Sequence, residues 1–256
     1  MSRRSFLVAL CLILLLVGGL VLTPLLLLCY EPDLYTRAAV PPGEERARLS
    51  HECVQQFFDL YSDATNGDRT EPWGVQFTDQ QVNSYLDEEF ITQGLAVHLL
   101  PKGVSRPRFV FDAPDRVHIG FRYDVGGWST VISIDVRVWL AHDEVNVVCL
   151  EIEGFHAGAL PIAAQSLLEH ISETARERGI DVTWYRHDGH PTAALRFLAD
   201  QPHSTLLLKN VQVTQGTFTI RGQSLESSAV LNNPMRFLQG IWQARAEGDP
   251  FSPRRQ

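Results

Sequence analysis

From Ser5 to Tyr30 the chain reads SFLVALCLILLLVGGLVLTPLLLLCY, with no charged residue. At a rise of about 1.5 Å per residue, a helix of that length crosses the roughly 30 Å hydrocarbon core of a bilayer with some tilt. Arg3 and Arg4 precede the run, and Glu31 and Asp33 follow it. The positive-inside tendency then predicts a cytoplasmic N-terminus and an extracytoplasmic remainder. A cleaved signal peptide is the competing expectation, but its apolar run is usually about 7–15 residues and closes on small residues. This one closes on Leu-Leu-Leu-Leu-Cys, and Leu28 is also too large for a lipoprotein signal. No later stretch approaches spanning length, so residues 1–30 are expected to be a cytoplasmic stub and a single-pass anchor.

The pattern beyond Tyr30 changes repeatedly. Residues 31–45 hold Pro, Gly and alternating charges without apolar periodicity, which suits a linker. From Glu44 to Ser62 a period near 3.6 predicts a helix with Val54, Phe57, Phe58 and Tyr61 on one face. Asp63 to Trp73 reads as a loop. Thr78 with Gln81 three residues on forms a capping box, and Phe77 and Val82 flank it as a hydrophobic staple. A second helix is therefore predicted from Thr78, with Val82, Tyr85, Leu86 and Phe90 facing inward.

After Pro101 the period becomes 2. Val117, Ile119, Phe121, Tyr123 and Val125 alternate with His118, Arg122 and Asp124, and Gly126-Gly127 turns the chain. Ile132, Ile134, Val136, Val138 and Leu140 then oppose Ser133, Asp135 and Arg137, and Val148, Leu150 and Ile152 oppose Cys149, Glu151 and Glu153. Such alternation predicts a long antiparallel meander with one wet face. A central amphipathic helix is expected from Pro161 to about Arg178, with Leu160, Ala164, Leu167, Leu168, Ile171 and Ala175 as its stripe and Gly179 as its cap. Strands resume in DVTWYR, AALRFLA, TLLLKNVQV and GTFTIRG, and a short helix from Pro234 to Arg245 precedes a polar tail. The fold class is thus α+β, with one extracytoplasmic domain over residues 46–230 and a C-terminal piece over 231–256.

Composition narrows the function classes. The chain has 256 residues, 45% hydrophobic and 20% charged, which is globular rather than disordered. Setting Arg3 and Arg4 aside leaves 20 basic against 30 acidic residues beyond Tyr30, a poor match to nucleic acid. Cys11 and Cys29 fall in the apolar run. Cys53 and Cys149 are in a compartment where a disulfide persists, but their spacing leaves open whether they pair or stay buried as thiols. His187-Asp188-Gly189-His190 is the one histidine cluster. It has the ligand types of a metal-dependent hydrolase, yet Asp-Gly between two alternating runs is also a hairpin turn. Glu151 and Glu153 have the make-up of a carboxylate pair and the spacing of solvated strand-face charges. No G-x-S-x-G elbow, phosphate loop or dinucleotide fingerprint occurs. The chain is therefore read as a non-enzyme that needs no cofactor.

The T-x-x-Q-x-N helix start (Thr78, Gln81, Asn83), the GALPIAAQSLLEHI lead-in to the central helix and the closing TLLLKNVQVTQGTFTIRGQS, with Gly216 and Gly222, resemble the bacterial YpmS-type and LmeA-like envelope proteins. The likeness spans Phe77 to Ser224. It implies a curved sheet wrapped on a long helix, as in the tubular lipid-binding (TULIP) superfamily, with phospholipid binding or transfer in the cell envelope. The helix at 44–62 and the His-Asp-Gly-His turn depart from that pattern.

The leading expectation is an anchored protein that binds a lipid or other apolar ligand between sheet and central helix. The apolar faces read by period put Phe121, Tyr123, Ile134, Val136, Val138, Leu150, Ile152, Leu167 and Ile171 at that groove. The alternative is an anchored scaffold with a dry core. It would recruit an envelope partner through Arg122, Asp124, Asp135, Arg137, Glu151 and a C-terminal helix bearing Phe237, Leu238 and Trp242. A lipid binder needs a void and a scaffold does not.

Overall fold

In the computed structural model the period-2 runs are strands of one large antiparallel sheet. The residues described are 16, 18–20, 22–65, 72–94, 96, 100–162, 168–169, 172–173, 181–196 and 206–224. Strands β2 (Val104–Asp112), β3 (Arg116–Val125), β4 (Trp128–Leu140) and β5 (Val147–Ala157) form the meander. The sheet continues through β8 (His190–Arg196) to β7 (Asp181–His187), and the two-residue strand β6 (Leu160–Pro161) pairs with β5. A three-stranded sheet, in the order β1 (Pro72–Thr78), β10 (Thr217–Ser224), β9 (Leu206–Thr214), is the second layer. With helices α1 (Asp33–Arg37), α2 (Glu44–Thr65), α3 (Asp79–Asp87) and α4 (Glu89–Thr92), the architecture is α+β.

One face of the meander is the core. Phe111, Val117, Ile134, Val136, Val138, Val148 and Ile152 pack with Val211 and Val213 of β9. Side chains two apart share a face, so the residues between them are forced onto the other side. The second layer is also tied on by its backbone: Asp115 donates to the Val213 carbonyl (3.0 Å), and Gly216 donates to that of Phe111 (2.9 Å).

Helix α3 starts as the capping box requires. Gln81 N donates to Thr78 Oγ1 (3.1 Å), and Thr78 N donates to Gln81 Oε1 (2.9 Å). The third motif residue, Asn83, is buried and behaves as a missing strand partner. Its Nδ2 donates to the Phe109 carbonyl (2.7 Å), and its Oδ1 accepts from Phe109 N (2.8 Å). Arg108 Nη1 donates to Asp87 (2.7 Å), and Arg46 of α2 donates to Glu88 (2.6 Å), so α2, α3 and β2 are cross-tied in series.

Several expectations are corrected. Strands β1 and β2 do not show in the pattern: β1 carries Pro72 and Gly74, and β2 is broken by Pro107 and a register shift between Ser105 and Arg108. Helix α2 turns inward Leu49, Ser50 and Cys53, whereas Phe57, Phe58 and Tyr61 are exposed. Each residue step rotates the face by about 100°; Gln81 bonding Glu52 (3.3 Å) and Arg46 bonding Glu88 fix which face turns in. Pro161 does not open a helix but lies in β6, opposite His156. Of the two alternatives left open for Cys53 and Cys149, the structure has the second: both are free and buried. The predicted linker is docked: Tyr35 in α1 is buried against Gly120, where a Cβ would come within 2.6 Å of the ring, and its hydroxyl donates to the Arg106 carbonyl (2.9 Å).

Residues 5–15, 17 and 21 of the apolar run lie outside the described residues; residues 22–28 are helical. Among the described residues no helix is long and apolar enough to cross a membrane. The end of this segment is fastened to the sheet. Ala159 N donates to the Leu27 carbonyl (2.8 Å), Thr130 Oγ1 donates to that of Leu28 (2.6 Å), and Glu31 pairs with Arg122. The C-terminal helix expected at 234–245 lies outside the described residues.

Two substitutions separate capping from bridging. Thr78→Ala removes one cap and is expected to cost about 1 kcal/mol in urea denaturation. Asn83→Ala leaves the Phe109 N–H and carbonyl without partners and is expected to cost about 3 kcal/mol. Equal costs would remove the bridging role of Asn83.

Candidate functional site

The lipid contacts read from the pattern separate into three groups. Ile134, Val136, Val138 and Ile152 are buried in the core against β9. Phe121 and Leu150 are half-buried beside that core, and Tyr123 is exposed near the end of β3. Leu167 and Ile171 lie outside the described residues. Their neighbours Leu168 and Ser172 are described, and they locate an apolar cleft.

That cleft has a volume of about 350 Å³ and is lined by Leu168, Glu169, Ser172, Trp184, Tyr185, Arg186 and Pro191. It forms where the segment after β6 crosses the β7–β8 hairpin. Leu168 and Trp184 both pack against the edge of the core. Trp184 Nε1 donates to Ser172 Oγ (2.5 Å), which donates on to the Leu168 carbonyl (2.7 Å). The one polar group of the indole is thereby satisfied, leaving its rings as an apolar wall. Trp184 reads from the sequence as one more alternating strand residue, so nothing in the pattern set it apart.

The other face of the sheet carries a polar cleft of about 460 Å³, lined by Arg116, His118, Asp135, Glu153, Gly154, Phe155, His156, Pro161 and Ile162. Adjacent strands bring its charges together, because Asp135 on β4 lies opposite His118 on β3 and Gly154 on β5. His118 Nδ1 is 2.6 Å from Asp135 Oδ1, its Nε2 is 3.7 Å from Asp112, and His156 Nδ1 is 3.9 Å from Asp135 Oδ2. The bond to Asp135 holds the His118 pKa above the ordinary histidine value despite burial, and the same bond holds Asp135 below the usual carboxylate value. Arg116 and Arg137 clamp Glu153 from two sides, at 3.0 and 2.5 Å. Such a dyad holds and moves a proton. Its ionic partners are Asp112 and His156, and Ser133 stands two residues before Asp135 on the same face of β4, in register with His156 of β5.

Glu151 is not a solvated strand charge. Its side chain is 2% exposed, with Oε2 3.8 Å from Arg137 Nη1 and 3.5 Å from His187 Nδ1. The β7–β8 hairpin folds back over it, with the His187 ring 5.4 Å from that of Trp139. Asp188 and Gly189 have φ of 49° and 86°, the left-handed pair of a two-residue hairpin turn. Asp188 and His190 are exposed, and among the described residues no group of three His, Cys, Asp or Glu is placed to hold a metal ion.

The His118–Asp135 pair gives stability a definite pH dependence. Protonated His118 contributes fully below the ordinary value of about 6.5, and that contribution fades as pH rises through its raised folded value. Asp135 contributes above about 3.9, and its share fades as pH falls through its lowered folded value. His118→Gln is therefore expected to cost about 1 kcal/mol near pH 5.5, solvent trimming the pair. Chemical denaturation should show that cost shrinking toward pH 9; a cost independent of pH would rule out the charged pair. Compared with known proteins, the chain matches no family model, no curated protein and no solved structure.

Proposed function

We propose that this chain is a membrane-anchored, extracytoplasmic, non-enzymatic protein that shelters a lipid acyl chain between the segment around Leu168 and strands β7–β8. The observation that carries the reading is the open apolar cleft of about 350 Å³ bounded by Leu168, Trp184, Tyr185 and Pro191. Its size is at the low end of small-ligand sites, about 300–1,000 Å³, which suits one chain rather than two. Each methylene taken from water contributes about 0.8 kcal/mol, so no charged residue is required for capture. The uncharged run at 5–30 supplies the anchor, and its tie through Leu27 and Leu28 to Ala159 and Thr130 holds the domain against the bilayer. In this reading the segment that follows Ile162, to about Arg178, is the central helix of a TULIP-like fold, consistent with the likeness carried by Thr78, Gln81, Asn83, Gly216 and Gly222. The ligand touches the margin of the core, at Leu168 and Trp184, rather than Val136.

A second reading, the anchored scaffold, is favoured by the closure of Ile134, Val136, Val138 and Ile152 against Val211 and Val213. The two separate in one experiment on the full chain, extracted in mild detergent and incubated with phospholipid vesicles. Native mass spectrometry is expected to find about one lipid per chain. Leu168→Trp is expected to reduce that occupancy roughly tenfold without lowering the melting temperature. A lipid-free wild-type chain would leave the scaffold standing.

A further inference from the structure

Helix α2 has two apolar faces, one buried and one largely exposed. Leu49 and Cys53 turn inward. On the adjoining face Val54 is half-buried, while Phe57, Phe58 and Tyr61 are 60%, 65% and 65% exposed. Three aromatic rings at helical spacing form a contiguous apolar stripe, the kind of surface that marks a docking site.

We propose that the chain's own C-terminal segment, Pro234–Arg245, docks on this stripe. Three observations select that occupant. First, the described chain ends at the right place: Ser224 Oγ, at the close of β10, donates to the Asp63 carbonyl (3.3 Å) at the end of α2. Phe57 lies six residues back along the helix, on the order of 9 Å away. The nine residues 225–233 reach up to about 30 Å. Second, the segment PMRFLQGIWQAR has Met235, Leu238 and Trp242 at helical spacing with Phe237 and Ile241 beside them, an apolar face of matching character. Third, the charges are opposite. Between His51 and Asp63 helix α2 has Glu52, Asp59 and Asp63 and no Lys or Arg, whereas the segment has Arg236 and Arg245 and no acid.

The bilayer is the wrong occupant on geometry. Helix α2 begins where Arg46 meets Asp87 and Glu88 and passes Gln81 at Glu52. It therefore runs away from the end at which Leu27 and Leu28 are fastened, and its aromatic stripe lies in its second half.

The test uses the full chain with the photo-crosslinking residue p-benzoylphenylalanine in place of Phe57. Irradiation is expected to join it to the tryptic peptide Phe237–Arg245 of the same molecule, as shown by mixing isotopically light and heavy chains. A product with a second copy, a product with lipid, or no product on that peptide would overturn the proposal. A paired measurement guards against a merely unreactive probe. In the double variant Phe57→Asp, Phe58→Asp, trypsin is expected to cut after Arg236 and Arg245 roughly tenfold faster than in wild type, because cleavage tracks the undocked population. Cleavage after Arg137 in β4 should not change, since both phenylalanines are exposed in the described fold. Equal rates after Arg236 in variant and wild type would also overturn it.

Discussion

The apolar face of the β3–β4–β5 meander has to leave water, and no neighbour in sequence is available to cover it. Val117, Ile134, Val136, Val138, Val148 and Ile152 are covered by Val211 and Val213, from a strand that begins 49 residues beyond the meander's end at Ala157. Because the cover is non-local, it is secured by backbone rather than by apolar contact alone. Asp115 and Phe111 exchange bonds with the β9–β10 hairpin at one end, and Leu208 N donates to Asn146 Oδ1 (2.7 Å) at the other. Buried backbone groups that lack a strand partner must find one, and here loop residues and asparagine side chains supply them. Asn83 does the same for β2. The short motifs at Thr78, Asn83, Gly216 and Gly222 thus have local mechanical reasons: a cap, a bridge, a turn at Gly216, and at Gly222 a backbone on which Trp73 lies too close for any side chain.

What the sequence made legible follows from that division. Strands with one dry and one wet face write their own period, so β3, β4 and β5 are visible within a few residues, as are the Asp188-Gly189 turn and the cap at Thr78. Strands β1 and β2 are invisible because Pro72, Gly74 and Pro107 interrupt the alternation, and long-range pairing holds them instead. Periodicity also counts apolar positions without saying which stripe turns inward. On α2 that choice falls to polar ties at Glu52 and Arg46, which no local pattern contains. Glu151 is hidden for the same reason. A strand-face carboxylate looks solvated until a distant hairpin closes over it. Of the candidate site, the alternating faces were legible and the cleft was not, since it forms between Leu168 and Trp184 across two separate segments.

The two faces of the sheet also divide the electrostatics. Arg116, Arg137, Glu153, His118, Asp135 and His156 form a nearly self-neutralised row on the wet side. Much of each charge is met by its neighbour, so the row holds adjacent strands in register more than it attracts a charged ligand. That leaves little long-range steering for an ionic substrate. The chain's acidic excess lies instead in residues 31–100, with 13 acidic against 4 basic groups, ahead of this sheet.

Where an apolar guest would enter follows from the cost of opening each part. Admitting a chain between Val136 and Val213 would separate the two layers and break the backbone bonds at Asp115 and Gly216 together with the densest packing in the fold. The cleft at Leu168 asks far less. Its wall is joined to β7 through a single described side-chain bond, Trp184 to Ser172, and the space beside it is already open. Interiors at crystal-like density resist insertion, whereas margins yield at modest cost. An acyl chain is therefore best accommodated at the edge of the core, by displacement of the segment that follows β6. That segment leaves the Gly158–Ala159 turn to which Leu27 is bonded. The proposed anchor is thus hydrogen-bonded to the turn from which the chain leads, nine residues on, to Leu168 at the cleft.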